Sequence, residues 1–158
     1  MKNLIIITSL LLAAALLTSG CTDQETGPRA DLLTVNSTNE IETLLENGPV
    51  FIDIGADRCP SCVEQKPIVE ELAAEYGGQV AFVYINTDKQ PQLSNYFNVY
   101  YIPDMTMIVS SDNGKFTYLT RWGTLTNDRQ EAMIFGLTPK SVLEVTIQDA
   151  LRLRGTNT

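Results

Sequence analysis

The stretch VFIDIGADRCPSCVEQKP, residues 50–67, decides how this chain is read. Val50, Phe51, Ile52 and Ile54 form an apolar, strand-favouring run that carries one carboxylate, Asp53. Gly55 opens a loop, Cys59-Pro60-Ser61-Cys62 follows, and the residues after it favour a helix. A strand therefore delivers two thiols to the start of a helix.

That placement suits thiol chemistry. A thiolate at a helix N-terminus is stabilised by the helix dipole and by unpaired backbone N–H groups, which lowers a cysteine pKa from about 8.5 to about 7 or below. Cys59 is expected at the N-cap. Pro60 then falls at the first helical position, where its missing N–H costs nothing, and the amides of Ser61 and Cys62 stay free to face the Cys59 sulfur. Cys62 lies one turn deeper on the same side, within reach of a disulfide with Cys59. The outer thiol would attack and the inner one resolve.

The same spacing is also half of a zinc site, and an inert structural disulfide is a third reading. The zinc reading is short of ligands, because the chain has no histidine and one further cysteine, Cys21. Redox chemistry is carried forward, with no metal expected.

On these residues the segment resembles the active-site region of the thioredoxin superfamily, in a form with a CPSC dithiol. Asp53, six residues before Cys59, matches that family's buried acid. Pro67, five after Cys62, matches the proline that bends the active-site helix. Pro103, in Tyr101-Ile102-Pro103-Asp104, matches its cis-proline. The resemblance implies an α/β thioredoxin-like fold, a central mixed four- to five-stranded sheet flanked by helices on both faces. It also implies that Asp53 accepts a proton from Cys62 through water, and that the Ile102 backbone before cis-Pro103 pairs with a bound substrate strand. Read without the family, Asp53 fits an edge-strand carboxylate bonded to amides, and Pro103 a trans proline starting a strand.

The departures bear on redox direction. Arg58 stands where thioredoxins usually have Trp, and its charge would favour the thiolate. Pro60-Ser61 puts proline first, as oxidising and glutaredoxin-like members do. Asp57 and Asp104 would oppose the thiolate if they approached Cys59. Tyr84 takes the place of the lysine near the buried acid. No glutathione-binding set is identifiable.

The chain has 158 residues, 44% hydrophobic and 19% charged, enough for one domain with a core. Its formal charge of −8, one unit more negative without the first 20 residues, argues against nucleic acid or an anionic membrane surface as a partner. Residues 1–20 read as a lipoprotein-type signal peptide. Lys2 is the basic start, Leu4 to Leu17 an apolar run of 14 residues, and Thr18-Ser19-Gly20-Cys21 resembles a lipobox, implying cleavage after Gly20 and a lipidated Cys21. An ordinary signal peptide or an uncleaved anchor, with Cys21 a spare thiol, is the alternative. Residues 21–31 read as a flexible tether and 32–155 as the thioredoxin-like domain.

Along that domain, Leu32, Leu33 and Val35 suggest a short first strand, and Ser37 to Glu40 a capping box opening a helix. Pro67 either bends one helix or separates two. Residues 80–86 read as a strand covered on both faces, Met105 to Val109 as another, and Asp112-Asn113-Gly114 as a hairpin turn into a strand ending at Trp122. Residues 123–137 exceed what the fold needs; Asn127 to Phe135 either add a helix near the site or decorate the surface. Thr138-Pro139 is expected to cap the last helix.

The expected activity is thiol-disulfide exchange outside the cytoplasm, by a membrane-anchored monomer that uses no cofactor; no phosphate-binding glycine loop is present. Its expected partners are protein disulfides or dithiols and a membrane thiol electron donor or acceptor. Reduction of protein disulfides or cytochrome maturation is favoured by analogy. A disulfide donor or isomerase for exported proteins, and a non-enzymatic lipoprotein, are the rivals.

Overall fold

Strand β1, Val50–Gly55, is buried at every position, because it lies inside the sheet with helices over both faces. The computed structural model describes residues 28–156. The expected signal peptide, the lipidation at Cys21 and the tether as far as residue 27 lie outside the described residues.

Helix α1 spans Thr38–Leu45, α2 Pro60–Tyr76, α3 Pro91–Tyr96, α4 Arg129–Ala132 and α5 Lys140–Gly155. The strands after β1 are β2 Ala81–Asn86, β3 Asp104–Asp112, β4 Lys115–Leu119, β5 Leu125–Thr126 and β6 Ile134–Phe135. The sheet runs β2-β1-β3-β4-β5, with β6 also on β3. β1 is parallel to β2 and antiparallel to β3, so the sheet is mixed as expected. Among the described residues it has six strands instead of four or five, since the segment after β4 contributes two short ones.

Alternation along β1 separates two cores. Ile52 and Ile54 join Ile85, Ile108 and Phe97 beneath α1 and α3. Phe51 joins Met107, Leu72 and Ile147 beneath α2 and α5. Each such aliphatic side chain contributes about 1.5–3 kcal/mol by leaving water, so the sheet centre is the stiffest place on which to mount a reactive loop.

Local signals set several boundaries. Ser37 caps α1 by accepting from the Glu40 amide, while the Glu40 carboxylate accepts from the Asn36 amide. Asn113 and Gly114 have φ of 50° and 80°, which makes the two-residue β3–β4 loop a type I′ turn. α2 runs unbroken through Pro67, so the proline lies inside one helix.

Other expectations are corrected. The strand expected at Leu32 to Val35 is a single parallel bridge between Leu33 and Val83, because the chain turns at once into the cap of α1. Residues 28–31 do not all extend as a tether: the Ala30 amide donates to the Glu70 carbonyl at 3.0 Å. The strand expected to reach Trp122 stops at Leu119, where Thr120 Oγ1 accepts from the amides of Trp122 and Thr124, and Gly123 at φ 77° folds the chain back into β5. Thr138 does not cap α5. Its hydroxyl donates to the Gly136 carbonyl and its amide to Gln65, leaving Pro139 at the N-cap.

Candidate active site

The reactive pair sits where β1 hands the chain to α2. Cys59 is the N-cap residue with Pro60 at the first helical position. The Cys62 amide donates to Cys59 Sγ at 3.2 Å, and Ser61 Oγ lies 3.4 Å from the same sulfur. These groups are in place to stabilise a thiolate at Cys59. The two cysteines form a disulfide with a Cα–Cα separation of 5.2 Å. Cys59 is half-buried and Cys62 only 3% exposed, so a partner disulfide meets the first sulfur and not the second.

Gly55 makes the close packing behind the pair possible. A Cβ there would lie 3.3 Å from Cys62 Sγ and 3.0 Å from Tyr84 Oη, tighter than a side chain is accommodated without displacement.

The Ile102–Pro103 peptide bond is cis. It brings the Ile102 carbonyl oxygen to 3.8 Å from Cys59 Sγ. Pro103 is buried, and its carbonyl accepts from the Gly136 amide at 2.8 Å. Sequence reasoning brought Cys59, Cys62, Ile102 and Pro103 together, and they meet in space.

Asp53 is 1% exposed on a central strand, with no hydrogen-bond partner for either oxygen among the described residues. An edge carboxylate bonded to amides does not describe it. Burial pushes its pKa up from 3.8 to about 7, the negative charge of Asp104 adds to the rise, and Lys66 opposes it. Tyr84 pairs with Asp53 across β1 and β2; burial and then Asp53 lead the causes that raise its hydroxyl to about 12.

Lys66 was not singled out from the sequence. Its ammonium, carried on α2 four residues after Cys62, lies 5.4 Å from the centre of the Tyr84 ring, and its charge lowers the Asp53 pKa. A positive charge thus faces Asp53 although Tyr84 occupies the position of the lysine that the resemblance led one to expect. The i+4 spacing from Cys62 is the signal that could have located it.

Arg58 is exposed and bonded through Nε and Nη2 to Asp88, both at 3.0 Å. Its charge is shared with that carboxylate instead of being directed at Cys59 alone. The Arg58 hydrogen bond in turn holds the Asp88 carboxyl below its ordinary range. Asp57, at the surface, is paired with Lys89 at 2.9 Å. Asp104 is buried against Arg129, Nη2 to Oδ1 at 2.6 Å. Burial raises the Asp104 carboxyl and Arg129 opposes the rise. Arg129 opens the short helix α4, so of the two readings of Asn127 to Phe135 the added helix is the one observed, but nothing in the sequence singled out this residue.

A strand-to-helix dithiol beside a cis-proline on a mixed sheet defines a protein of the thioredoxin-fold class. The comparisons agree. The sequence model of the thioredoxin family matches residues 31–128. A chloroplastic M-type thioredoxin of Spinacia oleracea is 32% identical over 118 residues, 74% of this chain and 56% of the relative. Thioredoxin 1 of a Nostoc strain is 28% identical over 116 residues, 73% of this chain and 92% of the relative. The chain thus spans about half of the spinach protein and nearly all of the Nostoc one. Mitochondrial thioredoxin 3 of Saccharomyces cerevisiae, in its oxidized form, shares the fold at a TM-score of 0.54 and 23% identity, with 75% of this chain and 94% of that one covered. Chloroplastic thioredoxin z does so at a TM-score of 0.56 and 20% identity, covering 76% and 95%. The chain belongs to the thioredoxin family and is a thiol-disulfide oxidoreductase, with Cys59 and Cys62 as its redox-active pair.

Proposed function

We propose that the protein reduces disulfides of other proteins outside the cytoplasm, held at a membrane by a lipid on Cys21. The observation that carries the protein-disulfide reading is the pairing of an accessible Cys59 with a shielded Cys62, beside an Ile102 carbonyl turned to the same sulfur. Exposed Tyr101 and Phe135, ring centroids 6.5 Å apart, add apolar surface on which a polypeptide can lie. The single basic residue Lys2 and the apolar segment ahead of Cys21 support the anchor.

In the reduced chain the Cys59 thiolate attacks one sulfur of the substrate disulfide, forming a mixed disulfide and releasing the other substrate sulfur as a thiolate. Cys62 gives up its proton, for which Asp53 serves as the acceptor through water, and attacks Cys59 Sγ. The second substrate thiolate leaves. Two electrons have passed to the substrate, now a dithiol, and the chain carries the Cys59–Cys62 bond. A thiol donor at the membrane must reduce it again.

Equilibration of the dithiol with glutathione tests the direction. A potential near about −270 mV fits a reductant and one near about −120 mV a disulfide donor, which would overturn the reductant assignment. Cys62→Ser is expected to accumulate mixed disulfide with insulin and stop turnover; unchanged turnover would remove Cys62 from the resolving role. Wild type is expected to incorporate labelled fatty acid and Cys21→Ser to incorporate none; a variant that still takes up the label, or a wild type that does not, would overturn the lipid anchor.

A further inference from the structure

We propose that Arg129 and Asp104 are positioning residues of the redox site, a buried ion pair through which the additional segment 123–137 holds the cis-proline loop in register with Cys59. The inference rests on the dithiol exchange described above and is independent of its direction.

Asp104 directly follows cis-Pro103 and is fully buried. Its backbone is held on both sides, opposite Ile54 of β1 and Phe135 of β6. Its Oδ1 accepts from Arg129 Nη2 at 2.6 Å. Arg129, 7% exposed, donates from Nη1 to the Phe97 carbonyl at 2.9 Å, and its guanidinium carbon lies 5.6 Å from the Phe97 ring centre. One planar fork therefore joins α4, the end of α3 and the first residue of β3. The Gly136 amide, just beyond β6, fastens the Pro103 carbonyl from the same segment.

Stability alone is a poor reason for such a pair. Removing two charges from water costs several kcal/mol each, and well-packed apolar replacements are often as stable or more so. What a guanidinium supplies and an apolar contact does not is direction, two N–H groups at fixed angles. The direction matters here because the Ile102 carbonyl, two residues before Asp104, lies 3.8 Å from Cys59 Sγ. A substrate strand that pairs with Ile102 is aligned for attack only while that loop stays in place, and an ångström of misplacement costs up to about a hundredfold in rate. A small disulfide that makes no strand pairing depends far less on the loop.

The test is the ratio of two second-order rate constants for the pre-reduced full chain, one with insulin and one with bis(hydroxyethyl) disulfide. In Arg129→Met the ratio is expected to fall about tenfold, and Arg129→Lys, which keeps the charge, is expected to recover part of it. Partial unfolding would lower both rates together and leave the ratio unchanged. The double variant Arg129→Met with Asp104→Val removes both charges and is expected to fold, so its ratio must fall as well. A ratio within about twofold of wild type in the double variant overturns the proposal. A wild-type chain that reduces neither compound overturns the oxidoreductase reading and this inference with it.

Discussion

Replacing Asp53 by Asn isolates the cost of a carboxylate buried on β1. The acid rises from 3.8 to about 7 in the folded chain, and at 1.36 kcal/mol per unit that is about 4 kcal/mol. Below pH about 4 the folded and unfolded chains both hold the proton, so the carboxyl is neutral to stability there. Between about 4 and 7 the unfolded chain loses the proton first. The folded state is therefore penalised progressively, and the full penalty is present above about 7. Asn carries no such penalty, and its buried amide and the protonated Asp53 carboxyl, which also lacks partners, each cost about 1–3 kcal/mol, so that contribution largely cancels. The variant should thus be about as stable as wild type at pH 4 and more stable at pH 8, the difference climbing by about 4 kcal/mol. Asp104 and Tyr84 are present in both proteins, so their own titrations largely cancel. The assay is urea unfolding of the oxidised chain at half-unit pH steps. A difference that stays flat across that range would refute the claim that burial keeps this carboxyl neutral.

Lys66→Gln removes the charge that lowers the Asp53 pKa, so carboxyl NMR should find its titration at higher pH than in wild type; an unmoved midpoint would mean that Lys66 does not act on the acid. Gly55→Ala puts a Cβ against Tyr84 Oη and Cys62 Sγ and should cost about 1–3 kcal/mol in chemical unfolding while slowing resolution of the mixed disulfide. Wild-type stability and rate in that variant would contradict the close approach. Ile54→Ala, in the core under α3, should cost about 2–5 kcal/mol by the same unfolding assay, and a loss under about 1 kcal/mol would show that this face of β1 is poorly covered.

Much of the site was legible because its parts act on their neighbours in sequence. Cys59, Pro60 and Cys62 form a helix start through local geometry, and the observed cap has that arrangement. Asn113-Gly114 specifies a type I′ turn wherever strands flank it. The expected strand through Trp122 failed for a local reason too, a threonine side chain that captured two amides and turned the chain. Its polar side chain reads as strand-compatible until its bonding is seen.

By itself the amino-acid order determined the dithiol and its helix start, which depend on residues a few places apart, while the fold class and the cis-proline that sets Ile102 beside Cys59, 43 residues away, were implied by the family resemblance. Only tertiary structure decided which charges face one another: Lys66 opposite Asp53, Asp88 on Arg58, and Arg129 from the additional segment on Asp104. Coulomb forces and hydrogen bonds depend on distance through space, and 25 residues separate Asp104 from the Arg129 it binds.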